Sequence, residues 1–473
     1  MGKIIINKGQ GGVGAEPTSL DHVSGFIFQQ IGISADIGPV KIYTLEDAES
    51  AGITADACPV EHYHLKTYYA MRQKITGLAQ GEAYVLAKDI TTTTFDGTEI
   101  QTLQDFASGR IRQVAVYLED PYLSSYVTAC QTYAETVTTD GKPLSVLFGA
   151  DFSSIASTAL ADARSLDSEN VSVVIGEDGA GAGYVLRQRL SRSITNIGTV
   201  MGALSSGNVH ENLQWRSKFN VSVSMSIDLF VDSGQDDSGV ASKLTEAGQN
   251  FQTTVEVGDK VYNTTDDTTA LVTAIDSDTV LSLSSDIMDS SEDYVIVRQG
   301  QTRDENETVG FATSDTPSTT AALEALTDFG YIFMVKDVGF NGTYINDTPT
   351  CTLSTSDFLW IERMRVIDKA VRAVREKLQP KIGQPIYINA DDGTISGATI
   401  EDFKSDAFAA LEVMASNGEI STQPDGNLPA NTVVIDPAQD VLATSNIELT
   451  IQIVPVGTAR TITANINFAV SVE

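Results

Sequence analysis

The chain has 473 residues, with 63 acids against 30 bases and a formal net charge of −33. That length allows about three domains of ordinary size and a core that needs no covalent staples. The acidity excludes a general nucleic-acid binder, because phosphate contacts need a surplus of Lys and Arg. The scattered cysteines Cys58, Cys130 and Cys351 exclude a disulfide framework and a zinc pattern, and argue for a reducing compartment.

The first 20 residues read as an arm: Ile4, Ile5 and Ile6 are β-branched, and a loose Gly-rich stretch and Pro17 follow. The opening run is too short for a signal peptide, and Tyr331–Val335 is far short of a membrane span. The expectation is a soluble protein made in a cytoplasm. From 21 to about 235, apolar runs at Val40–Tyr43, Glu82–Ala87, Gln113–Leu118, Leu144–Phe148 and Val171–Ile175 alternate with helical patterns at Leu45–Ala51, His62–Arg72, Thr102–Ala107 and Tyr122–Ala134. Such alternation predicts a layered α/β domain. Tyr184–Leu204 reads as one longer helix, and Phe219–Phe230 as an alternating strand.

Residues 243–299 carry 11 acids and three bases and are rich in Thr, Ser and Asp. Short strands at Gln252–Val257, Lys260–Asn263, Ala270–Ile275, Val280–Leu283 and Tyr294–Val297 predict a compact all-β insert. Ser354–Asp357 matches a capping box that opens a helix to Leu378, with an apolar stripe of Phe358, Ile361, Met364, Ile367, Val371, Val374 and Leu378. A turn at Asp391-Asp392-Gly393 follows, then a second helix from Thr399 to Ser416 ended by Asn417-Gly418. Ile447, Leu449, Ile451 and Ile453, and again Ile462, Ala464, Ile466, Phe468 and Val470, alternate with period two. A strand that regular must dock on something, because an isolated one is unstable.

The chemical motifs read more simply as structure. Gly9-x-Gly11-x-x-Gly14 lacks the helix start and the acidic residue that a dinucleotide site needs. Gly176–Gly183 lacks the Lys-Ser/Thr of a phosphate loop and carries two acids, so it reads as a mobile loop. On a helix, His62 and His64 point to different faces and cannot chelate together. Asn389–Gly393 fails the calcium-loop spacing. No catalytic residue, metal ligand or cofactor is assigned. From Ser356 to Lys381 there are seven bases against four acids, an unusual surplus in this chain. It reads either as a solvated helix face with internal ion pairs or as an electrostatic docking helix.

Several stretches carry a resemblance. They are Ser356–Ala370, then Asp392–Ser396, Asn417–Ser421 and Ile453–Arg460 in that order, with Thr44–Ile53 and Gly198–Leu204. Together they resemble the contractile phage tail sheath protein family, sheath-like structural proteins of phage tails and related injection machines. The insert motif Val257–Asn263 is similar to a small β module grafted onto many phage structural proteins. The resemblance implies an α/β and α+β multidomain fold: a layered α/β sheath core with a small all-β insert and extended N- and C-terminal arms. The expected divisions are a 1–20 arm, a 21–240 α/β domain, a 241–300 insert, a 301–455 C-terminal domain and a 456–473 strand arm.

It also implies a non-enzymatic subunit that polymerises around a tail tube and contracts to drive the tube through the host envelope. Its partners would be further copies of itself, the tail tube protein, the baseplate and the tail terminator, with no direct nucleic acid and no membrane insertion. It would reside in the virion tail, assembled in the host bacterial cytoplasm. Ile4, Ile5, Ile6, Ile462, Ile466, Phe468 and Val470 would pair with strands of neighbouring subunits. Arg363, Arg365, Lys369, Arg372 and Arg375 would face the tube. Strand–helix alternation alone also fits an α/β enzyme with an inserted β domain, and the Thr/Asp-rich insert fits a surface-binding module.

Overall fold

The computed structural model of the chain describes residues 20–30, 36–89, 94–389, 393–423, 429 and 431–464. Its centre is a seven-stranded sheet in the order Tyr331–Ile332, Val171–Val174, Ser145–Asp151, Gln113–Pro121, Ser24–Gln30, Ala83–Asp89, Ile37–Ile42. Every pairing is parallel except that of the edge strand Ile37–Ile42. Parallel strands need crossovers, and the crossover helices cover both faces of the sheet. Strand residues therefore alternate between two cores rather than between core and solvent. Phe26, Phe28, Ala115 and Tyr117 share one core with helices Pro59–Thr76 and Ile197–Ser206. Ile27, Val114, Val116 and Leu118 share the other with Thr98–Phe106 and Ser124–Thr139.

Glycines set the closest helix contact. A Cβ at Gly198 would stand 2.3 Å from the His64 carbonyl oxygen, and one at Gly202 would stand 2.7 Å from that of Tyr68. Only the missing side chains let Ile197–Ser206 lie this near Pro59–Thr76. The single helix expected over Tyr184–Leu204 is in fact two, Ala182–Leu190 and Ile197–Ser206. Ser191 has a φ of 51°, and the Ser193 N–H and hydroxyl both donate to Asp151 Oδ1 at 2.9 Å. The apolar spacing runs on across this break, so periodicity alone does not register it.

The insert is antiparallel throughout, in the order Val223–Gln235, Asp293–Glu305, Lys260–Asn263, Thr268–Ser277, Val280–Leu283, Lys243–Thr245. Its first two strands form a long ribbon that leaves and re-enters the body, so this sheet extends beyond both ends of 241–300. Gln252–Val257 is not a strand. Phe251–Thr254 forms one helical turn that drives the fully buried Phe251 ring toward Tyr294, 6.4 Å between centroids.

Gly176–Gly183 is not an open loop. Gly176–Asp178 pairs as a strand with Val309–Phe311, and Glu177 and Asp178 are buried. The start of helix Ala182–Leu190 is occupied by the chain's own Glu305, whose carboxylate accepts the N–H groups of Ala182 and Gly183 at 3.0 and 3.2 Å and the Tyr63 hydroxyl at 2.8 Å. Burial, with the Glu305 carboxylate beside it, pushes the Asp178 carboxyl well above its ordinary range. His62 Nε2 lies 2.9 Å from Glu49 Oε1, and His64 stacks on Phe28 with its ring tilted against Tyr117, where burial lowers it to about 3 and keeps it neutral.

The C-terminal part is built on two helices, Ile361–Leu378 and Gly397–Ser416, which share a small core of Val366, Ala370, Leu411 and Met414. Ser396 caps the second helix by accepting the Thr399 N–H at 3.3 Å, and Gly418 ends it with a φ of 72°. The first helix starts at Ile361, not at Ser356. Ser354–Phe358 forms turns instead, and a Pro349–Trp360 bridge with a Thr350 N–H to Leu359 O bond of 2.9 Å holds Leu359 and Trp360 extended, which overrides the local capping pattern. The expected apolar stripe is also shifted: Val366 and Ala370 are buried, whereas Val371 is 45% exposed.

Candidate assembly interface

The basic helix is mostly an internal rivet. Arg365 is buried and donates to the carbonyls of Asn208 and Gly207 at 3.3 and 3.4 Å. Lys369 Nζ bridges Asp21 Oδ2 and Glu419 Oε1, both at 2.5 Å. Arg372 lies 3.6 Å from Asp21 Oδ1 and donates to Pro143 O at 3.4 Å. These three of the five expected tube-facing bases are therefore turned into the subunit, because half-buried Asp21 and buried Asp368 and Glu419 need cations. Arg363 and Arg375 are exposed, with Arg375 donating to Asp140 O at 2.9 Å.

Electrostatics fit a dry charge layer. Burial lowers Arg365 and Arg112 to about 10, and both stay charged. Burial raises Asp368 to about 7 against the pull of Arg372 and Arg112. Burial also pushes Asp21 up, but the Lys369 hydrogen bond and nearby arginines outweigh it and leave the carboxyl below its usual value. Asp21 stands just before the strand Ser24–Gln30, so this layer ties the start of that strand to the C-terminal helix Ile361–Leu378.

The base of the C-terminal segment has its own clamp. Arg460 Nε donates to Asp347 Oδ2 at 2.9 Å and Oδ1 at 3.2 Å, Nη2 donates to Glu362 Oε1, and the guanidinium lies 3.6 Å from the Trp360 ring centroid. Sequence reasoning missed the roles of Asp21, Asp347, Trp360 and Arg460. No local signal marks them, since the partners lie 113 and 348 positions apart.

The C-terminal part also carries a small sheet. Thr450–Ile453 pairs antiparallel with Asn431–Val434, and among the described residues this sheet has only those two strands. The period-two pattern is visible in its burial: Ile447, Leu449, Ile451 and Ile453 are half-buried while the residues between them are exposed. Beside it is a cleft of 590 Å³ lined by Leu378, Ile382, Ile386, Phe403, Leu442 and Leu449. Of the expected strand-pairing residues, Ile4, Ile5, Ile6, Ile466, Phe468 and Val470 lie outside the described residues, and Ile462 is 84% exposed and in no strand. Among the described residues no helix is long and apolar enough to cross a membrane.

Comparison with known proteins places this architecture. The family model for the DUF2586 N-terminal domain matches residues 1–250, and that for the DUF2586 C-terminal domain matches 357–473. No curated protein matches in sequence. A chain in the cryo-EM structure of the anti-feeding prophage baseplate, 6-fold symmetrised, aligns over 99% of both chains at 12% identity with a TM-score of 0.51. A chain of that baseplate in its contracted state aligns over 99% of this chain and 97% of that one, at 11% identity and a TM-score of 0.46. The sheath tail protein from Desulfitobacterium hafniense aligns over 96% of this chain and 100% of that one, at 9% identity and a TM-score of 0.42. The mixed α/β multidomain fold expected from the sequence is thus shared, end to end, with a chain of the baseplate assembly.

Proposed function

We propose that this chain, which belongs to the DUF2586 family, is a structural subunit of a contractile tail sheath. It polymerises around a tail tube and contracts to drive the tube through a host envelope. The observation that carries this reading is the two-stranded sheet Asn431–Val434 and Thr450–Ile453, in a chain whose Asp21 and Arg460 are each held by ion pairs to the C-terminal helices or the segment before them. A two-stranded sheet is marginal alone, and main-chain pairing with strands from other copies completes it. The fold shared with a chain of the anti-feeding prophage baseplate supports a structural rather than enzymatic role in such an assembly.

In this reading the Ile4–Ile6 and Ile462–Val470 segments pair with neighbouring copies. Backbone hydrogen bonds hold those copies together despite the formal charge of −33 on each. Arg363 and Arg375, the exposed pair of the five bases, face the acidic side of a tube protein, while Arg365, Lys369 and Arg372 keep the helix seated. The baseplate triggers contraction and a terminator caps the stack. The work comes from the additional protein surface buried, with no nucleotide hydrolysed. The subunit is assembled in the host bacterial cytoplasm and resides in the virion tail, without contacting nucleic acid or entering a membrane. Deleting residues 460–473 should leave soluble monomers by negative-stain electron microscopy; tubes formed by the truncated chain would overturn the reading.

A further inference from the structure

Every residue from Val454 to Ala464 is exposed except Arg460. That side chain enters a recess whose walls are fixed by other groups. Asn212 Nδ2 donates to both Asp347 Oδ1 and Glu362 Oε1, at 2.9 and 3.1 Å, and so ties the two carboxylates together. The Thr348 N–H donates to Asp347 Oδ1 at 2.8 Å, and the Thr348 hydroxyl to Glu362 Oε2 at 2.7 Å. Both acids expose only 6% of their side chains. Two oriented carboxylates so buried need a cation, and the adjacent Trp360 face selects a flat one that stacks while it donates. A lysine ammonium offers neither the fork nor the plane.

We propose that Asp347, Glu362 and Trp360 form a guanidinium socket, that Arg460 is its plug, and that this contact, beyond the Ile420–Pro455 bridge, fixes where the C-terminal segment leaves the body. The proposal deepens the sheath reading and rests on it only for the consequence in assembly. The Ile420–Pro455 bridge and the Ser421 N–H to Val454 O bond of 2.9 Å hold the start of the segment, but every residue from Val456 to Ala464 except Arg460 is exposed, so without the plug the residues beyond are offered to a neighbour from no defined point. Preorganisation of this kind lowers the entropy lost when a segment docks on a partner.

Chemical rescue tests the socket on the full-length chain. The chain has two tryptophans, so W215F leaves Trp360 as the single reporter. In that background R460G should raise acrylamide quenching of Trp360 by about twofold, as the ring loses the nearer of its two guanidinium neighbours, Arg164 standing off at 6.0 Å. Guanidinium chloride at about 10 mM, far below denaturing levels, should return quenching to the parent value, and methylammonium should not. R460K, which keeps the charge and the fold, should sit between the two. Unchanged quenching in R460G and R460K, or equal rescue by both cations, would overturn the socket. Polymer yield, measured in the same samples, separates the two claims. A loss that guanidinium does not repair, because the ion is not tethered to the chain, supports the plug as the fixed point. Full polymerisation with the socket empty sinks that point and the C-terminal arm reading while leaving the guanidinium site standing.

Discussion

The α/β body buries charge, and the C-terminal part exposes apolar surface. Within the body Glu61, Glu99, Glu177, Asp178 and Glu305 are almost wholly buried, yet the sheet around them is sealed by helices on both faces. In the C-terminal part Ile382, Tyr387 and Leu442 are each at least 75% exposed, on a scaffold with a two-stranded sheet and small cores. Soluble chains tolerate single exposed hydrophobes, but a cluster around an open cleft marks an interaction surface. The contrast teaches that, among the described residues, the body buries its apolar surface within one chain, whereas the C-terminal part leaves some of its own exposed, as the proposed assembly requires.

The largest expected effect tests the charge layer that joins the two parts. Asp21→Asn removes the carboxylate shared by Lys369 and Arg372 and leaves partly buried cations under-compensated. It should cost about 3 kcal/mol in urea unfolding, read as a lower midpoint at constant m. A loss no larger than that of a surface substitution would show that the rivet is not what seats the helix.

A smaller effect tests buried charge within the body. Asp178 has a raised folded-state pKa, so below about pH 4 both folded and unfolded forms are protonated and the group has no influence. As pH rises past that point the unfolded chain ionises first, and stability falls until the folded carboxyl also titrates. The groups that face it are the Glu305 carboxylate, the Tyr63 hydroxyl and the backbone N–H groups of Ala180 and Asn306. Asp178→Asn should therefore flatten the fall in melting temperature between pH 5 and 8, by at most about 1.4 kcal/mol per pH unit. Parallel pH profiles for the two chains would contradict this assignment.

The smallest effect on the isolated subunit should carry a large effect on assembly. Leu442→Ser alters a side chain that is 75% exposed, so the melting midpoint of the monomer should move by less than about 0.5 kcal/mol in free-energy terms. Sedimentation should show polymer yield falling at fixed concentration. Intact polymerisation would remove this cleft from the interface.

What was legible in the residues was local. The period-two alternation at Ile447–Ile453, the strands Lys260–Asn263 and Val280–Leu283, and the stop at Asn417-Gly418 all reappear in the structure, because side-chain direction and backbone dihedrals follow from nearest neighbours. The α/β alternation showed the layered class for the same reason. Tertiary contact decided what periodicity cannot encode: which face a partner covers. It broke Tyr184–Leu204 at Ser191, delayed the long helix to Ile361, and turned Arg365, Lys369 and Arg372 inward toward acids far away in the chain. It also brought Arg460 onto Trp360. A charged residue reads as solvent-facing in any one-dimensional pattern. Only the folded chain shows that its counter-charge is buried, because an ion pair depends on distance in space and not on separation in sequence.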